Sequence, residues 1–555
     1  MKKRILTILA VLTPLILMAQ SMNVTTDSVG SLARQLPDSI RFKIAELKVC
    51  GQLNGADLKL LQQIVNRTKV NKKNEGECLV TSIDLSDATF VDGKDGMKTK
   101  ANELPNSLFA GAKQLTKVVL PRDITNISNN CFDGCVALCE LQIPDGVKTI
   151  GNKAFEDCES LPVIIIPQEV VVIGNNAFED CKSLKTIEIP SQIKAISNSA
   201  FKGCLGLTNV TLPNGLAVIG NDAFRNCKSL TAIELPESVL EIGNSAFEGC
   251  LALTTIEMES VNKVGSNAFE DCKSLTAVTI DKLSKLGGGV FKNCSSLTNA
   301  TLQGSFDGIS SNAFLGCASL TDVTIPSSIA VIDNNAFKDC KNLSKFEFPS
   351  SLQKLGSSAF EGCSSLREAI LPNMTKSIGS SAFEGCSTLD SVVIGGVVQE
   401  IDSKTFYRCS ALRTITLPAT IKKLGSKAFQ ECATMTQISL PVALSQIGDN
   451  AFEKCSSLQE IVIPVAVTSI GSDAFKECTM LARAELSISL KKIGGEAFAK
   501  CPSLREVILN SPNPPVISKS TFKDVVSCTF LIPKGCKSHY TANKEWQKIN
   551  NIKEK

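Results

Sequence analysis

Apolar and polar positions along this chain follow a pattern that repeats about every 23 residues. One unit, CKSLKTIEIPSQIKAISNSAF at 181–201, begins with an L-x-x-I-x-I motif formed by Leu184, Ile187 and Ile189. The last three residues of this motif alternate between apolar and polar, as the two faces of a strand do. Pro190 predicts the end of the strand because proline has no amide proton for a ladder hydrogen bond.

The second half of the unit continues the apolar face. Ile193 and Ile196 predict a return segment, and Ala200, Phe201 and Cys204 have a spacing that predicts a short helical turn facing inward. Each unit therefore supplies about eight inward side chains, too few to cover one another. Stacking neighbouring units buries them, which predicts a solenoid rather than separate globular domains.

Phenylalanine marks the repeat most clearly. Nineteen of the 25 phenylalanines share one register, with 15 of 18 intervals at 23 residues, two at 22 and one at 24. The series consists of Phe109, Phe132, Phe155, Phe178, Phe201, Phe224, Phe247, Phe269, Phe291, Phe314, Phe337, Phe360, Phe383, Phe406, Phe429, Phe452, Phe475, Phe498 and Phe522. Seventeen of these, Phe132 to Phe498, have a cysteine three residues later. We call these residues the ladder phenylalanines and ladder cysteines.

These motifs resemble the leucine-rich repeat family. The A-F-x-x-C element and the Ile-Pro strand ending resemble its BspA-like subclass of secreted and surface bacterial proteins. The resemblance implies an α/β solenoid: a leucine-rich repeat stack with one parallel β-sheet face and short helical or irregular convex segments, capped at both ends. It extends over the 23-residue repeats of 104–527, with further similarity at both ends.

One region departs from the pattern. Between Phe247 and Phe314 two units shorten to 22 residues, and Glu259, Asp281 and Gln303 replace the usual proline. We formulate the hypothesis that the stack bends or loosens over 258–310. Drift without structural consequence is the alternative.

The N-terminus predicts export. Residues 1–19 combine three basic residues with an apolar run from Ile5 to Leu17, and Ala19 is a suitable last residue before cleavage. The run is shorter than the roughly 20 residues that span a bilayer, and Pro14 interrupts it. We therefore expect a signal peptide, a secreted or cell-surface location, and no integral membrane segment in the mature chain.

Both ends of the repeat array predict caps. Residues 20–103 lack the period and include a predicted helix at 53–65, with Asn54 as its N-cap, and a degenerate strand unit at 79–90. Residues 528–555 are expected to close the other end with a strand and a helix. There Tyr540, Trp546 and Ile549 would cover the last coil.

Composition excludes several function classes. Without residues 1–19 the chain has 55 basic and 55 acidic residues, so nucleic acid is not the expected partner. His539 is the only histidine, so the chain lacks the ligands for a metal site built from histidines and the bases for most histidine-dependent catalysis. We expect no catalytic residues, no metal site and no cofactor.

Cysteine is abundant for an exported protein, with 23 residues. Equivalent side chains on stacked coils lie about 4.8 Å apart and point the same way, which does not suit the facing geometry of a disulfide. The ladder cysteines are therefore predicted to be buried free thiols. Cys50 with Cys78, and Cys528 with Cys536, are candidate disulfides within the caps. Cys139 occupies an outward strand position, so it is the candidate for an exposed, reactive thiol.

The outward positions of the sheet are the candidate binding surface. An acidic stripe runs from Glu188 to Glu257, and an apolar pair follows later in the array. The candidate ligand-binding residues are Glu188, Thr211, Glu234, Glu257, Ile370 and Val393. A preference of strands for β-branched residues is the alternative explanation for the apolar pair.

The resemblance implies adhesion: recognition of a host or neighbouring-cell protein, or of a glycan, by the exposed face of the repeat sheet without catalysis. One alternative is a structural spacer of the envelope or surface layer. Another is a secreted hydrolase or protease inhibitor that uses the face as a trap.

Overall fold

The computed structural model describes residues 20–41, 43–66 and 80–555. They belong to two compact units, Met1–Leu184 and Lys185–Lys555. The predicted signal peptide at 1–19 lies outside the described residues. Each unit is built from coils of chain that pair in parallel with the coils before and after them.

One coil of the second unit, Cys455–Phe475, shows how the sequence forms its structure. Glu460–Val462 and Ser469–Ile470 are its two strands. Eight inward side chains are at most 4% exposed, as the repeat pattern predicts. They are Cys455, Leu458, Ile461, Ile463, Val467, Ile470, Ala474 and Phe475. At 20–33 cal/mol per Å² of apolar area, their burial is the main stabilising contribution of each coil.

Where a coil has a first strand, that strand contributes to the sheet face. In the first unit these strands are Ser82–Asp84, Lys117–Val119 and Glu140–Gln142. In the second unit they are Thr186–Glu188, Asn209–Thr211, Ala277–Leu283, Asn299–Gly304, Asp322–Thr324, Glu368–Leu371, Ser391–Ile394, Thr414–Thr416, Glu460–Val462, Arg483–Leu486, Glu506–Leu509, Thr529–Ile532 and Ile552–Glu554. All of the pairings between them are parallel.

The second strand of each coil is only two residues long and forms a second parallel ladder. In the first unit these strands are Glu103–Leu104, Asn126–Ile127, Thr149–Ile150 and Val172–Ile173. In the second unit they are Ala195–Ile196, Val218–Ile219, Glu241–Ile242, Lys263–Val264, Lys285–Leu286, Gly308–Ile309, Val331–Ile332, Lys354–Leu355, Ser377–Ile378, Glu400–Ile401, Lys423–Leu424, Gln446–Ile447, Ser469–Ile470 and Lys492–Ile493.

The phenylalanine side of each coil consists of turns, whereas the A-F-x-x-C spacing predicted a short helical turn. The amide of Phe452 donates to the carbonyl oxygen of Ala474 in the next coil at 2.7 Å, so it is not available to a helix within its own coil. Residues two before and two after each ladder phenylalanine from Phe109 to Phe498 also adopt left-handed backbone, as Asn335 (φ 56°) and Asp339 (φ 60°) do around Phe337. A right-handed helix cannot pass through such residues.

The ladder phenylalanines form the centre of the core. Eighteen of the nineteen are fully buried, and Phe522 is partly exposed. In the first unit, rings from Phe109 to Phe178 stack at centroid distances of 5.1–5.2 Å. In the second unit, rings from Phe201 to Phe522 stack at 5.1–5.7 Å. The predicted solenoid core is therefore present in both units.

Two of the three coils without the strand-ending proline have longer strands, whereas the coil with Glu259 has only isolated bridges on the sheet face. Ala277–Leu283 and Asn299–Gly304 pair from Ala277 opposite Asn299 to Leu283 opposite Gly304. Asp281 and Gln303 stand where other coils have proline, so the backbone there retains amides for the ladder. The register of this pair shifts between Ile280 and Leu283, at Asp281, so the longer pairing is irregular and the hypothesis of a bend or loosening at 258–310 remains a prediction.

The first unit begins with non-repetitive structure. Strands Gln20–Thr25, Ile44–Leu53 and Ala88–Phe90 pair in parallel around the helix Gly55–Val65, and two short helices span Leu32–Gln35 and Asp38–Arg41. As predicted, Asn54 caps the long helix, accepting hydrogen bonds from the amides of Ala56 and Asp57.

At the end of the second unit, the helix Lys537–Thr541 and the 3₁₀ turn Trp546–Lys548 lie between the last two strands. The Trp546 side chain is fully buried. Its ring packs 6.2 Å from Phe522, and its indole nitrogen donates to the carbonyl oxygen of Pro515 at 2.7 Å. Tyr540 is also fully buried, and its ring packs 5.1 Å from that of Trp546, whereas Ile549 is partly exposed.

Candidate functional site

The candidate surface is the outward side of the sheet-face strands in the second unit. Because successive strand residues point to opposite faces, fixing the aliphatic residues in the core fixes the residues between them outward. The six candidate residues all lie at this between-aliphatics position, and all six are exposed. All six side chains therefore lie on the outward face, as the alternation predicts. Their role in binding remains a prediction.

The acidic candidates lie on coils near the start of the second unit. Glu188 is the direct strand partner of Thr211. Glu234 and Glu257 occupy equivalent positions on the next two coils, whose register is marked by the bridge between Ala232 and Thr255. With a strand spacing of about 4.8 Å, Glu234 and Glu257 are neighbours, while Thr211 separates Glu188 from Glu234.

These exposed carboxylates do not have the environment of a catalytic acid pair. A hydrolase of the two-carboxylate type keeps one acid protonated by placing it in an apolar, water-poor site. Glu234 and Glu257 are both exposed to solvent on an open sheet. Their arrangement is suited to attracting cationic groups on a partner instead.

The apolar candidates are adjacent. Ile370 and Val393 are direct partners in parallel strands, and their side chains are 58% and 41% exposed. Met374 and Val397 follow each of them by four residues and are 51% and 55% exposed. We call Ile370, Met374, Val393 and Val397 the apolar patch. The alternation of the strands did not identify Met374 and Val397 because both lie in the turns beyond the strands, although they too are 23 residues apart.

Glycine brings the two turns of the apolar patch close together. Gly396 has a φ of 80°, and a Cβ atom there would lie 2.3 Å from the carbonyl oxygen of Thr375 in the preceding coil. The amide of Val397 donates to that same oxygen at 3.1 Å. Only glycine permits this approach, so the turn carrying Val397 is held against the turn carrying Met374.

The ladder cysteines are buried, as predicted, and their thiols donate to backbone carbonyl oxygens. The Sγ atom of Cys363 donates to the carbonyl oxygen of Phe337 at 3.1 Å, and that of Cys478 to Phe452 at 3.2 Å. Each acceptor belongs to the preceding coil, so the thiol adds an inter-coil hydrogen bond within the apolar core. Desolvation raises the pKa of these thiols, to about 12 at Cys135 and Cys250.

The remaining cysteines differ in exposure. Cys139 is exposed, as expected, with its Sγ atom 3.5 Å from the carbonyl oxygen of Thr116. Cys528 and Cys536 carry free thiols, so the predicted disulfide between them is absent from the structure. The extended strand Thr529–Ile532 lies between them and separates their backbones, at about 3.3 Å per residue. The Cys50–Cys78 pairing lies outside the described residues because Cys78 is not among them.

Within residues 20–41, 43–66 and 80–555, no group of three or more His, Cys, Asp or Glu side chains is placed to hold a metal ion. Within the same ranges, no helix combines the length and the apolar character needed to cross a bilayer.

The stacked parallel coils, with their inward leucine and phenylalanine positions, define a leucine-rich repeat protein. The family model of the BspA-type leucine-rich repeat region matches residues 102–231, 194–319, 307–435 and 399–529. The chain therefore belongs to the BspA-type leucine-rich repeat family, which is typical of bacterial surface proteins.

The chain is similar to several solved leucine-rich repeat structures. A leucine-rich repeat protein from Bacteroides ovatus ATCC 8483 is 30% identical over 71% of this chain and 92% of its own, with a TM-score of 0.50. A T. pallidum leucine-rich repeat protein is 27% identical over 37% of this chain and 78% of its own, with a TM-score of 0.24. A leucine-rich cell surface protein from Faecalibacterium prausnitzii A2-165 is 23% identical over 66% and 86%, with a TM-score of 0.29. Comparison with curated proteins gives no match.

Proposed function

We propose that this protein is a non-catalytic adhesion protein, secreted or displayed on the cell surface, whose sheet face recognises a protein on a host or neighbouring cell. The apolar patch is the observation that carries this proposal. Four large apolar side chains are exposed side by side on two successive coils, each by 41–58%. Clustered exposed apolar side chains on a water-soluble surface are characteristic of protein contact sites.

The core does not require the apolar patch. In the same two coils the inward residues Ala369, Leu371, Val392 and Ile394 are at most 2% exposed and already fill the interior. The neighbouring coil has Thr416 opposite Val393, which shows that a polar residue is compatible with the same strand position. Strand propensity alone does not account for Met374 and Val397, because both lie outside the strands.

The acidic stripe offers a second contact of a different kind. Glu188, Glu234 and Glu257 lie on the same outward series of positions as Ile370 and Val393. Exposed carboxylates contribute mainly to the rate of encounter with a basic partner and to its orientation, and their effect decreases with salt. The apolar patch would then supply most of the affinity after the water is excluded.

The proposal is tested by a binding screen followed by substitution. The full chain is screened against immobilised extracellular-matrix proteins and a glycan array, and the captured ligand is then measured with Ile370→Asp/Val393→Asp. We expect capture of a protein and at least about a tenfold loss of affinity in the variant, as for loss of a contact centre.

Val462→Asp is the matched control. Val462 occupies the equivalent outward position three coils after Val393 and is 51% exposed, but it lies outside the apolar patch. It should bind as the unmodified chain does. Binding of glycans alone, or equal affinity in the variant and the control, would contradict the proposal. An absence of any soluble ligand would favour the spacer alternative.

A further inference from the structure

A second surface, on the phenylalanine side of the second unit, also departs from the repeat. The residue two positions after each ladder phenylalanine has left-handed backbone, and from Gly111 to Gly385 it is always Gly, Asn or Asp. These are the residue types that tolerate this conformation best. In the last six coils the position changes character, with φ values between 56° and 64°. The six residues, which we call the charged row, are Arg408, Glu431, Lys454, Glu477, Lys500 and Asp524.

Charges alternate without exception along the charged row, which begins with a cation and ends with an anion. Some neighbours pair within the chain: Arg408 lies 3.1 Å from Glu431, Lys454 3.6 Å from Glu431, and Lys500 2.9 Å from Glu477. Exposed pairs of this kind stabilise a fold little. Pairing within the chain therefore does not explain why five long side chains replace the residues that this backbone favours.

The charged row borders an open groove. Its volume is about 930 Å³, and five of the six charged residues, Glu431 to Asp524, line it. The floor consists of small side chains two positions further along each coil. They are Ser410, Ala433, Ser456, Thr479 and Pro502. Lys182, Lys228 and Lys341 occupy the same position in earlier coils, where long side chains replace the small ones of the groove.

We propose that the charged row is a contact surface for a second copy of this chain. An alternating row with an even number of charges is complementary to itself when two copies meet antiparallel about a two-fold axis. Arg408 then faces Asp524, Glu431 faces Lys500, and Lys454 faces Glu477, each twice. In such an isologous contact, a residue of one copy contacts a second residue of the other copy, and the same pair forms again with the copies exchanged. This is the commonest arrangement in homodimers.

The geometry indicates a small and salt-sensitive contact. Six positions spaced by about 4.8 Å extend over about 24 Å, and all six side chains belong to one unit. A contact of this length belongs to the weak, reversible class of interface. Because the charges are only partly buried, screening by salt reduces their attraction. This surface is separate from the sheet face, so the inference does not rest on the proposed function.

Two variants that each invert half of the charged row test the proposal. The first is R408E/E431K/K454E and the second is E477K/K500E/D524K. In the antiparallel contact every facing pair becomes like-charged in either variant alone, whereas all six facing pairs become opposite-charged when the two variants meet. Sedimentation velocity of the full chain at low salt should show a dimer that dissociates as salt rises. Each variant should associate at least about tenfold more weakly, and the equimolar mixture should recover the dissociation constant of the unmodified chain.

Controls separate this effect from loss of folding. E400K/K423E inverts a salt bridge on the second strand ladder of the same unit, and it should dimerise normally. The fully inverted row keeps its alternation, so that variant should associate with itself but not with the unmodified chain. Recovery in the mixture requires both variants to be folded. A chain that stays monomeric at every concentration, or half-inverted variants that associate normally or fail to recover when mixed, would overturn the proposal.

Discussion

The buried thiols predict that the second unit loses stability in mild alkali. Burial raises the pKa of thirteen ladder thiols there, to about 12 at Cys250, Cys455 and Cys501. In an unfolded chain the pKa of the same thiols is about 8.5. Below that pH the thiols are protonated in both states, so stability does not depend on them. Above it only the unfolded chain releases protons, and stability falls with pH until the folded pKa is reached.

The magnitude follows from the number of thiols. One pH unit above its unfolded pKa, a thiol that stays protonated in the folded state lowers the unfolding free energy by about 1.4 kcal/mol. Thirteen thiols at about 1.4 kcal/mol each amount to about 18 kcal/mol, which is comparable with the stability of a folded unit of this length at roughly 0.05–0.15 kcal/mol per residue. We therefore expect the unit to lose much of its unfolding free energy by about pH 9.5, before lysines titrate at about 10.4.

Urea unfolding followed by far-ultraviolet circular dichroism, in reducing buffer from pH 7.5 to 9.5, measures this dependence. The variant Cys340→Ala/Cys363→Ala/Cys386→Ala removes three of the thirteen thiols, so the slope of unfolding free energy against pH should fall by about a quarter. Cys139→Ala removes an exposed thiol outside the ladder and is the control, with no expected change in slope. Equal unfolding free energies at pH 7.5 and 9.0 would refute the linkage to buried thiols.

Three further predictions follow from the core and the strands. Phe337→Ala should lower the free energy of unfolding by about 3–5 kcal/mol through a cavity, with faster amide exchange in the coils of Phe314 to Phe360 but not near Phe475. Phe348→Ala is the control, because Phe348 is half-buried and outside the ladder, and it should cost less. Uniform destabilisation of all coils would contradict the nearest-neighbour model. Brief alkylation of the native chain followed by mass analysis should label Cys139 before any ladder cysteine, and early labelling of Cys363 would argue against its burial. Amides within Ala277–Leu283 should exchange more slowly than those of the shorter strand Asn209–Thr211, and the reverse order would support loosening at 258–310.

The repeated core was predictable because its signal is periodic and chemically uniform. Nineteen phenylalanines recur at one position of the repeat, and stacking the repeats buries them along one line. The Leu-x-x-Ile-x-Ile motif then assigns the two faces of each strand. The outward placement of Glu188 and Ile370 follows from that assignment alone. Met374 was not predicted because turns have no alternation from which to infer a direction.

The turns were predicted incorrectly for a physical reason that the sequence also records. A spacing of one and three residues suits a helix, but it is equally consistent with turns whose amides bond to the next coil. Asn335 and Asp339, two residues on either side of Phe337, are the signal for left-handed backbone on both sides of that ring. The bond from the Cys363 thiol to the Phe337 carbonyl oxygen depends on the offset between coils, which periodicity alone does not specify.

The division between inward and outward positions explains how one stack can carry two independent surfaces. The inward residues of a coil, such as Ile461 and Phe475, contact only their own and adjacent coils, so they constrain the outward residues very little. The charged row is a place where outward residues depart from those of other coils, and the apolar patch is a place where exposed apolar residues occupy two successive coils. Since they lie on different sides of the coil, inverting half of the charged row should leave ligand capture intact, and Ile370→Asp/Val393→Asp should leave self-association intact. A coupled loss of both in either variant would mean that the substitutions act through the common core, and neither surface could then be assigned a partner from these experiments.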